Sequence, residues 1–331
     1  MSRDIPELFL KEHIMMLKKL IPAAALLALA GAAQAQVSIY GLVDLSYGKN
    51  ETLATANDRK ATLHSGGDNG GSQGNSVTRV GLKGSMDVGS GVKGNFKLES
   101  GGIDMDGKVN NGGAFFDRQA WAGLSGGLGE VRVGRQDSVV FQTSIAFDLN
   151  GASNAACATC NAGIADGILG KGRYSRQIQY IAPTVSGFTV QAGYATIDPA
   201  VATSKAAAAI GVTYAAGPLT AAAATEGARV DGGTGSSVYA GSYDFGIAKV
   251  AVSYSPSKAS KGTMMGFVAP VAGVNVGMQY AKNSDTKAKG TEFFVNKEVL
   301  KNTSVYFDYG TKKEVGVASK SMYALGAIYV F

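Results

Sequence analysis

Ile39-Tyr40-Gly41-Leu42-Val43-Asp44-Leu45-Ser46-Tyr47 alternates nearly residue by residue between apolar and polar side chains. In an extended strand, successive side chains point to opposite faces. Ile39, Val43, Leu45 and Tyr47 therefore share one face, and Asp44 and Ser46 lie on the other. Such a strand separates an apolar medium from a polar one. The pattern returns in Thr78-Arg79-Val80-Gly81-Leu82-Lys83, in Glu130-Val131-Arg132-Val133-Gly134 and in Asn275-Val276-Gly277-Met278-Gln279-Tyr280.

Working outward, the links between such stretches alternate in length. Val88-Gly89-Ser90-Gly91, Ala216-Gly217-Pro218, Val271-Ala272-Gly273 and Leu300-Lys301-Asn302 are short and carry residues that tolerate positive φ. Between them lie long polar stretches, notably Lys49 to Gly74 and Val139 to Gly172. The rhythm predicts sixteen strands, from 38–48, 76–87 and 92–103 through to 290–299, 304–312 and 322–331. This gives roughly 18 residues for each strand and its link, which suits tilted membrane strands of about 9–11 residues. An even number brings both ends of the chain to the short-turn side, and closure removes the unpaired sheet edges that lipid cannot satisfy. The expected fold is an all-β, transmembrane antiparallel barrel of sixteen strands in one unit, 36–331.

Composition agrees. Of 331 residues 46 are Gly and only 17% are charged, while Pro (7) and Cys (2) are too few for a collagen-like or disulfide-framed chain. The formal charge of +6 is spread over alternating strands rather than gathered on one helix face, which argues against a nucleic-acid partner.

The N-terminus reads as an address. Lys18 and Lys19 precede the apolar run Leu20 to Leu29, and Ala33-Gln34-Ala35 forms an A-x-A site before Gln36. Residues 1–35 are expected to be a cleaved signal peptide. Residues 1–14 carry Asp4, Glu7 and Glu12, unusual for the start of a leader, and Met15 and Met16 follow directly. They are expected to be an extension produced by a start assigned too far upstream.

The order and spacing of several short motifs carry a resemblance. They are Ile39 to Asp44, Thr78 to Gly84, Arg118-Gln119-Ala120-Trp121-Ala122-Gly123-Leu124, Val131 to Arg135, Arg176-Gln177-Ile178-Gln179-Tyr180 and the terminal Tyr329-Val330-Phe331. Through them residues 36–331 resemble the general diffusion porins of Gram-negative outer membranes, of the β-proteobacterial type. The resemblance implies a homotrimer among outer-membrane lipid and lipopolysaccharide, with the third extracellular loop folded into the lumen. It implies a passive channel with no cofactor and no reaction to catalyse. It also implies that Tyr329 and Phe331 are read by the barrel-assembly machinery.

Arg79, Arg118 and Arg132 fall on the polar face of early strands, and Arg173 stands where the long third loop rejoins the wall. In the resembled family, arginines at the positions of Arg79, Arg118 and Arg173 line the constriction. Fixed guanidiniums at a narrow waist favour anions. Lys83, Lys97 and Lys171 add positive charge. The facing loop lacks the family's acidic Pro-Glu-Phe-Gly-Gly stretch and offers only Asp137, Asp148 and Asp166, of which Asp148 and Asp166 are the candidate constriction acids. The expected function is a weakly anion-preferring diffusion channel. Alternative readings are a substrate-selective channel for phosphate or organic acids, and a plugged structural or adhesin barrel.

Other chemistry finds few residues. His13 lies in the leader, and a Ser-His-Asp arrangement would have to use His64. Cys157-Ala158-Thr159-Cys160 lacks the further ligands a zinc site needs, and an oxidising envelope favours a local disulfide that stiffens the third loop. N-terminal sequencing of the membrane fraction is expected to begin at Gln36-Val37-Ser38, and a chain that retains Leu26 would contradict cleavage at Ala35.

Overall fold

The structure, a computed structural model, describes residues 36–56, 59–109, 113–227, 234–258 and 260–331. The expected signal peptide and its extension lie outside the described residues.

Seventeen strands form one antiparallel sheet. They are β1 (Gln36–Asn50), β2 (Thr62–Ser65), β3 (Arg79–Gly89), β4 (Val92–Gly101), β5 (Gln119–Gly126), β6 (Gly129–Asp137), β7 (Arg173–Ile181), β8 (Phe188–Ala195) and β9 (Ala207–Ala216). There follow β10 (Leu219–Glu226), β11 (Ser236–Asp244), β12 (Lys249–Ser255), β13 (Gly262–Val271), β14 (Val274–Asn283), β15 (Lys289–Leu300), β16 (Thr303–Lys313) and β17 (Lys320–Val330). From β3 onward each strand pairs with the next. β1 pairs with β3 from Gln36 to Leu42 and with β17 from Leu42 to Asn50, so the sheet closes on itself. The wall thus has sixteen strands, matching the predicted ones to within a few residues. The extra β2 is a short piece that the sequence reading passed over. It continues the line of β3 beside Leu45 to Gly48 of β1.

Tight turns hold one end of the wall. Ser90 and Gly91 join β3 to β4 with φ of 55° and 73°, and Ala272 and Gly273 join β13 to β14 with φ of 51° and 76°. Two consecutive left-handed residues match the twist of a two-residue hairpin.

The side-chain distribution inverts that of a water-soluble protein. Leu45 and Tyr47 are half exposed on the outside of β1, while Asp44 and Ser46 are buried inside. On β15 and β16, Phe293, Phe307 and Tyr309 face out, and Glu292 and Asp308 are wholly enclosed. An apolar exterior over a polar interior is the pattern of a barrel in lipid.

The closing seam depends on Gly41. Its N–H donates to the Phe331 carbonyl at 3.0 Å, and its own carbonyl accepts from the Phe331 N–H at 3.1 Å. A Cβ on Gly41 would strike the Arg79 carbonyl and stand 2.6 Å from Cζ of the Phe331 ring. The terminal ring, stacked near Tyr329 at 6.1 Å, therefore lies where a side chain on β1 would be. Gly41→Val is expected to lower by several degrees the temperature at which the folded barrel converts to the unfolded band in detergent electrophoresis. Gly127→Val, in a turn with nothing within 4 Å, is the control and should leave it unchanged.

Candidate functional site

β6 ends at Asp137, and the chain then leaves the wall until Arg173. Ser138 starts the departure, its Oγ accepting from the Phe141 N–H at 3.1 Å and capping α1 (Val139–Ser144). A 3-10 turn over Ile145–Phe147 follows, then α2 (Ala158–Asn161) and α3 (Ala165–Ile168). α1 packs on β9 to β11, α2 on β14 to β16, and α3 on β11 and β12. The contacts fall on inward-facing residues. Val140, Ala158, Ile164 and Ile168 of the loop form a buried apolar cluster with Ala224, Val238, Met264 and Ala281 of the wall. Burying a side chain such as Ile164 or Ile168 contributes about 1.5–3 kcal/mol, so this interior patch holds the loop in the barrel.

Glycines let the loop come close. A Cβ on Gly310 would stand 2.8 Å from the Ala156 Cα, and one on Gly262 would stand 2.8 Å from Cγ2 of Ile164. At these points the inner wall under the loop is small or apolar.

Polar fastenings complete the seat, and they gather four carboxylates. Asn150 Nδ2 donates to Glu292 at 2.8 Å and to Asp308 at 3.1 Å. Asn75 Nδ2 donates to the other oxygen of Asp308 at 2.8 Å. Ser153 Oγ donates to Glu292 at 2.6 Å, and Gln279 Nε2 bridges Glu292 and Asp148 at 2.9 Å each. Asp44 accepts from the backbone N–H groups of Asn75 and Ser76 and from the Tyr306 hydroxyl. Among the described residues no Lys or Arg forms an ion pair with any of the four. Their charge is met by amides and hydroxyls, and it ties residues 66–78 and the third loop to β14–β16. Hydrogen bonds to charged groups contribute about 1.5–3 kcal/mol each.

The opposite wall is basic. Arg118 Nε donates to Glu99 at 2.6 Å, and Glu99 also accepts from the Tyr40 hydroxyl at 2.7 Å. Arg173 Nε lies 2.9 Å from Asp137. Arg79 makes only weak hydrogen bonds, to Ser76 Oγ at 3.4 Å and the Val77 carbonyl at 3.3 Å, and among the described residues it has no ion pair. Its charge feels those of both Arg118 and Arg173, and Arg173 feels that of Arg118. Three arginines from separate parts of the sequence thus meet at one level of the wall. Arg132 lies nearer the short-turn end, its guanidinium 4.5 Å from the Trp121 ring centre and paired with Glu130 at 2.5 Å.

Comparison with known proteins matches this architecture. Residues 23–317 match the Gram-negative porin family model. Outer membrane porin protein 32 of Delftia acidovorans is 30% identical over 94% of this chain and 95% of its own length. An outer membrane porin protein of Bordetella pertussis is 32% identical over 72% of this chain and 69% of its own. The chain belongs to the Gram-negative porins. Among solved structures, the anion-selective porin from Comamonas acidovorans superposes with a TM-score of 0.71 at 24% identity, covering 90% of this chain and all of the other. The porin is an outer-membrane β-barrel that crosses the bilayer many times, and its family and relatives are channels.

Within the porin, the sequence-predicted residues separate. Arg79, Arg118 and Arg173 come together, with Arg132 below them. Asp148 does not face the open lumen. It follows the 3-10 turn, is 4% exposed, and points to Gln279 on the far wall. Its expected place opposite the arginines is therefore corrected: the turn aims it outward to the barrel, not inward to the channel. Asp166 is exposed in the first turn of α3, over β11 and β12. Cys157 and Cys160 are joined by a disulfide that closes the start of α2. His64 is buried with Nδ1 3.9 Å from Asp68. Sequence reading missed Glu99, the partner of Arg118, and the pair Glu292 and Asp308. Parity could have found the pair, since an acid beside Phe293 or between Phe307 and Tyr309 must face inward.

Burial raises the Asp148 carboxyl above the ordinary carboxylate range, against the lowering effect of its hydrogen bond from Gln279. The acids facing it across Gln279 and Asn150 are Glu292 and Asp308. A docked loop thus binds protons that a released loop gives up, so docking strengthens as pH falls from above the raised Asp148 pKa toward the usual carboxylate range. Open-channel current noise is expected to be lower at pH 5 than at pH 8. Asn150→Ala should raise it at both, and equal noise in variant and wild type would show that this fastening does not hold the loop.

Proposed function

We propose that this porin is a passive outer-membrane diffusion channel with a weak preference for anions, needing no cofactor and catalysing no reaction. The observation that carries the reading is the separation of charge. Glu292 and Asp308, with the loop's own Asp148, are enclosed between the third loop and β14–β16, while Arg79, Arg118 and Arg173 share one level of the opposite wall. Glu99 and Asp137 compensate two of the three guanidiniums, and Arg79 is left without an ion pair among the described residues. The Comamonas acidovorans porin with which the barrel superposes is anion-selective, in keeping with this reading.

The mature chain begins at Gln36 after export, inserts with the help of the barrel-assembly machinery reading Tyr329 and Phe331, and works as a homotrimer among outer-membrane lipid and lipopolysaccharide. The Cys157–Cys160 disulfide stiffens the loop that sets the waist.

Two charges about 8 Å apart at an effective dielectric near 20 interact by about 2 kcal/mol. A fraction of that is enough to change an ion ratio several-fold, since about 1.4 kcal/mol is tenfold. Arg79→Ala with Arg118→Ala removes two positive charges and leaves the Glu99 carboxylate without its arginine, so the local field turns toward negative. The reversal potential across a tenfold salt gradient is expected to shift toward cations, with conductance similar or higher. Lys108→Ala, in an outer loop and paired with Asp106 at 3.0 Å, should change little. An unchanged reversal potential in the double variant would reduce the arginines to a structural role.

A further inference from the structure

Both cysteines of the chain lie in the third loop, and their two sulfurs stand in different surroundings. Ala158, Thr159, Asn161 and Ala162 are buried where α2 packs on β14 to β16. Cys157 is wholly enclosed, whereas Cys160 is exposed, as is Gly163 three residues on. Residues three apart share one face of a helical turn, so Cys160 stands on the face turned away from the wall. The disulfide is not what seats the loop. A cross-link restrains a chain least when the ring it closes is short, and this one joins cysteines three residues apart. The seat is made by the Ala158 N–H, which donates to Glu292 at 3.2 Å, and by Ala158 and Ala162 in the buried apolar cluster. The bond stiffens only the start of α2, and a bond with that task alone has no need of an exposed sulfur.

The enclosed sulfur is placed to leave. Cys157 Sγ accepts from the Cys160 N–H at 3.1 Å and lies 3.3 Å from the buried hydroxyl of Thr159. A disulfide sulfur carries no hydrogen, so the hydroxyl is the donor. Both donors meet the atom that takes up negative charge when the bond opens from the Cys160 side. In thiol–disulfide exchange the rate depends on which sulfur can be reached and on how well the other holds its charge as it departs. Access selects Cys160 for attack, and the two donors select Cys157 as the leaving sulfur.

We propose that Cys157 and Cys160 form a reversible exchange site for small thiols, with Cys160 the sulfur attacked and Cys157 the sulfur that leaves. A thiolate entering the barrel forms a new S–S bond to Cys160 as the bond between the cysteines breaks, and the thiol's proton ends on the Cys157 sulfur. A second thiolate then attacks the first thiol's sulfur. The two depart as one oxidised dimer, and Cys160 takes the second proton. Two thiol molecules are thereby oxidised to a disulfide, and the cysteine pair is reduced by the same two electrons. The oxidised dimer runs the steps backward. The stiffness of the waist loop then follows the thiol content of the medium. This goes beyond the passive-channel reading and rests on it only for the thiol's route to the loop.

The test uses the full porin and mercaptoethanol, a small neutral thiol. After brief exposure and an acid quench, peptide mass mapping should find the thiol joined to Cys160 and Cys157 free. Cys157→Ser and Cys160→Ser each leave one thiol. In the folded barrel an aromatic disulfide reagent should react with Cys160 about tenfold or more faster than with Cys157, and in denaturant the two rates should agree. Thr159→Val should slow opening of the wild-type disulfide about threefold or more, without changing the reactivity of Cys160 in the Cys157→Ser chain. In planar bilayers mercaptoethanol should raise open-channel noise and its oxidised dimer should lower it again, whereas Cys157→Ala with Cys160→Ala should respond to neither. A thiol mapped to Cys157, equal rates in the two folded single-cysteine chains, an unchanged opening rate in Thr159→Val, or noise in wild type unmoved by mercaptoethanol would each overturn the proposal. Exchange at Cys160 in a folded barrel that passes no current would overturn the channel reading instead and leave the site standing.

Discussion

Every backbone N–H and C=O that meets hydrocarbon must be paired within the chain, since each one left open there costs several kcal/mol. The whole arrangement follows from meeting that constraint by closure. β1 is shared between β3 at its first half and β17 at its second, and the last residue, Phe331, exchanges both backbone hydrogen bonds with Gly41. Closure in turn fixes parity. Once Leu45 and Tyr47 face lipid, Asp44 and Ser46 face the lumen, and the same holds around the ring. The interior is polar because the exterior cannot be.

A polar interior of this size would be a uniform water-filled tube without the third loop. The loop breaks the symmetry, and it does so by two kinds of contact. Apolar burial of Val140, Ile164 and Ile168 against Val238 and Met264 gives it a dry footing inside a wet barrel. Amide bridges from Asn75 and Asn150 then bind it to carboxylates that have no cationic partner among the described residues. The same act that seats the loop removes the acids from the channel. The charge asymmetry of the lumen is thus a result of packing as much as of composition: the loop covers Glu292 and Asp308, whereas Glu99 and Asp137 stay paired with arginines on the other wall.

The sixteen wall strands were legible because a period of two is a local signal that each stretch carries by itself. The meeting of Arg79, Arg118 and Arg173 was legible only through a resemblance, because no local pattern tells how far around a barrel two strands stand. β2 escaped because its four residues are too few to show a period. Asp148 was misplaced for a different reason. Within a loop there is no alternation to give a facing direction, and the short 3-10 turn before it decides which way it points. Glu292 and Asp308 were open to the parity argument. Their joint role was not, since it depends on Asn150 arriving from a loop more than a hundred residues earlier.

The two walls place different demands on the chain. On the β9 to β16 side, side chains serve the loop, and glycines such as Gly262 and Gly310 matter for the space they leave. On the β1 to β7 side, inward side chains pair with one another instead, Arg118 with Glu99 and Arg173 with Asp137. Glu99 stands between Arg118 and Lys97, holding Arg118 with one oxygen while the other meets Tyr40 and lies near Lys97. One carboxylate therefore divides its charge between Arg118 and Lys97 while fixing the Tyr40 ring beside them, so the basic groups of this wall are joined through a single acid.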